Sequence, residues 1–207
     1  MSNRKKTSPK SCGPRHPKSG DCQQRLKDTN LDTYAAIVRH YLKHYQSGAD
    51  KEIRFYEQLP SWDKALRRAS FAETPQGRRH PHQYRLKRVN LQKVHARLRR
   101  RNLAACETFH ELFLLVEEAI LSISGIGELM VYDTAHRLGA FLRLSPEFVY
   151  LHAGVRVGAV ALGLEGSRKW IEPGDLPRTF RRLTPQQIED CLCIYKHDLQ
   201  AILAKQK

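Results

Sequence analysis

Residues 122–164 read SISGIGELMVYDTAHRLGAFLRLSPEFVYLHAGVRVGAVALGL, and their pattern decides the fold. Gly125-Ile126-Gly127 is a turn between two helical patterns. The first, over about 107–123, carries Phe109, Leu112, Phe113, Leu115, Val116, Ala119 and Ile120 and reads as the central core helix. The second runs over about 128–142. A glycine turn that leads straight into a helix presents backbone N–H groups at the positive end of the helix dipole, a natural seat for a phosphate. Beyond it, Ser145-Pro146-Glu147 reads as a helix start with proline in the first turn. Tyr150 to Leu162 is β-permissive by propensity, but its glycines and context favour a helix over about 155–163.

The same periodicity extends outward. Tyr34, Ile37, Val38, Tyr41, Leu42 and Tyr45 fall at helical spacing, with Gly48 as the expected stop. Ile53, Phe55, Tyr56 and Leu59 form a short apolar segment ending at Pro60. Ser61 caps a third helix through Trp62, Ala65, Leu66 and Ala69. Another helix is expected over about 88–102. Thr184-Pro185-Gln186-Gln187 is a capping box with proline at its first helical position, opening a last helix through Ile188, Cys191, Leu192, Tyr195, Leu199 and Ile202. No segment alternates convincingly as a strand, so the expected fold is all-α: a single compact multi-helix domain over 30–207, with a helix-hairpin-helix near 107–143. Residues 1–29, rich in Lys, Arg, Ser, Pro and Gly, predict a disordered basic N-terminal arm.

The chain has 207 residues and a formal net charge of +15, which favours an anionic partner, nucleic acid before a membrane surface. No apolar run is long enough to span a bilayer and the N-terminus lacks the apolar stretch of a signal peptide, so a cytoplasmic protein without membrane contact is expected. The cysteines number five, an odd count that argues against a disulfide framework in an intracellular protein of this size. Cys12, His16 and Cys22 lack an evident fourth ligand, and Cys191 and Cys193 point to different helix faces, so no metal is expected.

Charge is unevenly spread. Between Glu73 and Glu107 there is no acidic residue, whereas Arg78, Arg79, Arg85, Lys87, Arg88, Lys93, Arg97, Arg99, Arg100 and Arg101 all lie there. His80, His82 and His95 add donors and Tyr84 adds a ring. A solvated helix face normally mixes signs; a one-sign belt repels itself and suits a polyanion. The competing reading is neutralisation by Glu107, Glu111, Glu117 and Glu118.

Ile123-Ser124-Gly125-Ile126-Gly127 resembles the hairpin of helix-hairpin-helix DNA-binding proteins, whose glycines let the turn approach the phosphodiester backbone. Leu151-His152-Ala153-Gly154-Val155-Arg156-Val157, followed by Ala161-Leu162-Gly163-Leu164, resembles the part of helix-hairpin-helix DNA glycosylases where a Val-Asp-Thr-His-Val-x-Arg-Val run enters a helix ending in Leu-Gly-Leu. The resemblance covers residues 123–164. It implies duplex DNA gripped through Gly125, Ile126 and Gly127, with a family-level implication of DNA repair or action on modified or foreign DNA. The chain also departs from the family. His152 stands where the family has its carboxylate, Glu128 and Leu129 stand near the place of the lysine nucleophile, and the iron–sulfur cysteine pattern is absent, so no cofactor is implied. Asp133, one turn from His136 and Arg137, is the substitute carboxylate, with Glu147 next. Asp133 and His152 are therefore the catalytic candidates, and Arg156 is a phosphate ligand. Tyr150 could line the same cleft as His152 and Arg156. Structural alternatives stand beside three of these: an Asp133–Arg137 ion pair, a satisfied loop histidine at 152, and a core ring at Tyr150. Three readings follow: a DNA-binding module, an active divergent glycosylase or lyase, and an RNA-binding protein supported by charge alone.

Overall fold

Side-chain caps start the helices where the sequence places Ser and Thr before apolar runs. The structure, a computed structural model, describes residues 31–205, so the expected N-terminal arm and Cys12, His16 and Cys22 lie outside the described residues. Thr33 accepts from the Ala36 amide at 3.2 Å and opens α1 (Tyr34–His44). Helix α2 is Gln46–Glu57. Ser61 accepts from Lys64 at 3.4 Å and opens α3 (Trp62–Ser70). Helix α4 is Arg88–Leu98. Thr108 accepts from Glu111 at 3.1 Å and opens α5 (Phe109–Ile120), and α6 is Glu128–Leu142. Helix α7 is Ala153–Ala161. The Thr184–Gln187 capping box opens α8 (Pro185–Ile194), and α9 (Lys196–Lys205) follows. Two short strands, β1 (Val149–Tyr150) and β2 (Trp170–Ile171), pair antiparallel. The described chain is otherwise helices and connections, an all-α fold.

Three local expectations are corrected. Gly48 does not stop the first helix; the break falls at Tyr45, and α2 runs through Gly48. The Tyr41 and Tyr45 rings stack 6.4 Å apart across this break. Ser145-Pro146-Glu147 starts no helix, because Glu147 is used elsewhere: its carboxylate accepts from the Phe109 amide at 3.2 Å and caps α5 from across the fold. The last helix divides at Tyr195, whose hydroxyl lies 2.7 Å from His40 Nδ1 on α1.

The apolar side chains form two cores. The middle of the chain, α2 to α6, builds the first around Tyr56, Leu66, Leu91, Leu98, Phe109, Leu112, Val116, Ile120 and Leu138. The two ends of the described chain, α1 and α7 to α9, build the second around Ile37, Tyr41, Val155, Phe180, Leu192 and Leu199. The β1–β2 ladder divides them by the two-residue period of a strand: Val149 enters the second core and Tyr150 the first. In the second core, α7 crosses α8 so closely that a Cβ on Gly158 would collide with the Leu192 carbonyl. The cores meet along a polar seam between α2, α6 and α8.

Candidate nucleic-acid interface

The turn from α5 to α6 is built from alternating anchors and gaps. Ile123 and Ile126 are buried in the first core, and the Ile126 amide donates to the Ile123 carbonyl at 2.9 Å. Gly125 between them has φ +81°, a left-handed conformation that disfavours any side chain. Ser124, Gly125 and Gly127 are exposed. Gly127 occupies the N-cap of α6 with no side-chain cap, and nothing lies within 4 Å of where its Cβ would stand. The first-turn amides of a helix have no intrahelical partner, so this end of α6 offers donors and a positive dipole end.

Glu128, the first residue of α6, would repel a phosphate there. Arg156 offsets it, with Nη2 at 3.0 and 3.1 Å from the two Glu128 carboxylate oxygens. Arg156 also donates to the carbonyls of Leu151, Gly166 and Arg168. The residue expected to hold a phosphate thus ties the start of α6 to α7 and the 166–168 loop.

Helix α4 carries Arg88, Lys93 and Arg97 of the belt and supports the turn. Leu91, Val94 and Leu98 pack inward, and Asn90 Nδ2 donates to the Ser124 carbonyl at 2.7 Å. Arg97 donates to the Ala119 carbonyl at 3.2 Å and to Ser122 Oγ at 2.6 Å, closing the C-terminal end of α5. Arg101 pairs with Glu118 at 2.9 Å, and Arg79 donates to the Leu86 carbonyl at 2.6 Å. The others, Arg78, Arg85, Lys87, Arg88, Lys93, Arg99 and Arg100, are exposed and make no ion pair among the described residues. Neutralisation by the four nearby glutamates is slight: Glu117 pairs with Lys169, and Glu111 accepts from the Glu107 amide.

The catalytic candidates lie on the polar seam. Asp133 accepts from Gln83 Nε2 at 2.9 Å and Arg137 Nη2 at 3.2 Å, and its Oδ2 lies 2.7 Å from His82 Nε2. Burial alone would raise its pKa, but the Arg137 guanidinium and His82 hold the carboxyl well below the usual range. Arg137 also donates to Gln83 Oε1 at 3.2 Å and Glu52 Oε1 at 3.4 Å. His80 Nε2 lies 3.2 Å from the same Glu52 oxygen, within ion-pair distance but without hydrogen-bond geometry. Burial, helped by Arg137, pushes the His80 pKa down to about 4, so the imidazole is neutral at physiological pH. Asp133 is therefore an ionised carboxylate whose Oδ2 is committed to three neighbours.

His152, at the N-cap of α7, is buried with Nε2 2.5 Å from Glu189 Oε1 on α8. Its Nδ1 has no partner among the described residues, nor has the hydroxyl of Tyr132. Tyr41 donates to Asp190 at 2.7 Å, and the Tyr150 hydroxyl lies 3.0 Å from His110 Nδ1. Glu52, Asp133, His136, Arg137, Gln186, Glu189 and Asp190 line a cleft of the seam, and a smaller cavity across Tyr132 touches Glu128, Tyr150, His152 and Lys169. Among the described residues, no group of three or more His, Cys, Asp or Glu is arranged to hold a metal ion. No described helix is long and apolar enough to cross a membrane.

Sequence reasoning missed Asn90, Glu52, Gln83, Glu189 and Asp190. Glu189-Asp190 had a signal: two acids inside the apolar run Ile188 to Leu192. His82 and Gln83 had none, being indistinguishable from the belt around them. No protein-family model, curated protein or solved structure matches this chain.

Proposed function

We propose that the protein binds duplex DNA by its phosphate backbone, through the Gly125–Gly127 turn and the exposed lysines and arginines on and around α4. The observation that carries this reading is the uncapped, exposed start of α6, held beside the belt by the Asn90–Ser124 hydrogen bond. Contacts of this kind position a protein on DNA and carry no sequence information, so recognition is of shape rather than sequence. The resemblance to helix-hairpin-helix glycosylases supports the same grip and connects it with repair or with action on modified or foreign DNA.

A salt titration of binding to a fluorescent duplex tests this. The logarithm of the binding constant should fall linearly with the logarithm of salt concentration, by about 0.9 for each phosphate contacted. Lys87→Glu/Arg88→Glu/Lys93→Glu should abolish binding at moderate salt. A flat salt response, or tighter binding to structured RNA than to duplex DNA, would defeat the reading and favour the RNA alternative.

A second reading, excision of a damaged or modified base, draws on the His152–Glu189 pair. The Glu189 carboxylate on Nε2 fixes the imidazole ring and leaves Nδ1 without a partner among the described residues, the arrangement of a general base. In this reading Asp133 supplies a fixed negative charge. Glu189→Gln and Asp133→Asn should retain DNA binding and lose the formation of abasic sites. Absence of abasic sites with the wild type across a panel of modified-base duplexes would remove it.

A further inference from the structure

We propose that Tyr84 is a stacking platform for an unpaired base, and that the protein prefers DNA with an unstacked nucleotide over an intact duplex. This rests on the backbone-binding reading above and adds a substrate class to it. Tyr84 is 60% exposed, beside Arg85 in the acid-free belt, and Val89 nearby is 51% exposed. An aromatic ring in water among cations has the features of single-strand binders: charge for the backbone and a π-face for a base.

The segment that carries the ring is tied down. Pro81–Gln83 forms a 3₁₀ turn closed by the Gln83 amide on the His80 carbonyl at 2.9 Å, and the His80 amide bonds the Ala72 carbonyl at 2.9 Å. His82 and Gln83 reach Asp133 on α6, and Gln83 also touches Met130 Sδ at 3.1 Å. Beyond Tyr84, the Leu86 amide bonds the Gln83 carbonyl at 3.1 Å, and Arg79 holds the Leu86 carbonyl. The ring therefore projects from a braced loop, so stacking costs little backbone ordering. The brace gives the Asp133 network a purpose, since Asp133 stands on the helix whose N-terminus forms the proposed phosphate seat.

The spacing suits one ligand. Asn90, which clamps the glycine turn, follows Tyr84 closely in sequence, and a fully extended chain between them would span no more than about 20 Å. At about 3.4 Å of helix axis per nucleotide, that backbone separation corresponds to about six nucleotides along one strand. A short duplex is therefore long enough to reach both the turn and Tyr84.

The test compares two duplexes of about 20 base pairs with the same sequence, one fully paired and one with a single bulged 2-aminopurine. The wild type should bind the bulged duplex about five- to 150-fold more tightly, the range of base–aromatic stacking, and quench the 2-aminopurine emission. Tyr84→Ala should lose both the preference and the quenching while keeping its affinity for the paired duplex and its melting temperature. Tyr84→Trp should retain them. Equal wild-type binding to both duplexes, or a preference surviving in Tyr84→Ala, overturns the proposal while leaving the backbone reading intact. No binding to either duplex overturns both.

Discussion

Gly127→Asp separates the stability of the turn from its use. Gly127 has an ordinary φ of −113° and nothing within 4 Å of its absent Cβ, so the fold has room for the side chain. Aspartate at an N-cap accepts a first-turn amide and favours the helix dipole, changing stability by only a few tenths of a kcal/mol relative to glycine. Its carboxylate would, however, occupy the proposed phosphate seat. Two like charges about 5 Å apart repel by about 0.8 kcal/mol in water and about 3 kcal/mol at an effective dielectric of 20. Affinity for duplex DNA should fall by about fourfold at the lower limit and about 150-fold at the upper. The salt slope should fall by about one as a phosphate contact is lost. Fluorescence anisotropy across a series of salt concentrations measures both, and a thermal melt verifies the fold. Gly127→Ala, which adds bulk without charge, should lose less. Unchanged affinity in a folded Gly127→Asp variant would show that the start of α6 does not meet DNA.

Gly158→Ala should destabilise by about 1–3 kcal/mol, because the added methyl meets the Leu192 backbone and must push α7 from α8; urea unfolding measures it. Arg137→Met should cost about 3–5 kcal/mol by the same assay, since it leaves the carboxylates of Asp133 and Glu52 without their shared guanidinium. Stability should also fall on acidification from about pH 6.5 to about 4. His80 has a folded pKa of about 4 against 6.5 when free, so over that window the unfolded chain binds the proton more readily and the contribution of the neutral imidazole, about 3 kcal/mol, is lost. His80→Leu should flatten that part of a urea-midpoint-against-pH curve.

The helices were legible because their signals are local. Ser61, Thr184 and the apolar periodicity of α5 and α6 act within a few residues, and the structure has helices at those places. The failures came where a distant partner claimed a residue. Glu147 reads as part of a helix start until Phe109, 38 residues earlier, presents an uncapped amide. Tyr45 rather than Gly48 ends α1, although glycine is the usual local signal. The Asp133–Arg137 pair was readable from its i,i+4 spacing; the donors from 51 and 50 residues away, His82 and Gln83, were not.

The same division runs through the candidate interface. Gly125 and Gly127 and the absence of acidic residues between Glu73 and Glu107 are written in the sequence, because a turn with positive φ and a one-sign charge run are local properties. Which cations remain available to a ligand was decided only by packing. Arg97 and Arg156 look like Lys87 and Arg88 in the sequence, yet they close a helix end and bind protein carbonyls, whereas the side chains of the latter pair have no hydrogen bond or ion pair among the described residues. A charged side chain becomes structural when the fold brings it an orphan carbonyl or carboxylate. Periodicity says which face of a helix is buried; it cannot say which polar groups from elsewhere in the chain will meet there.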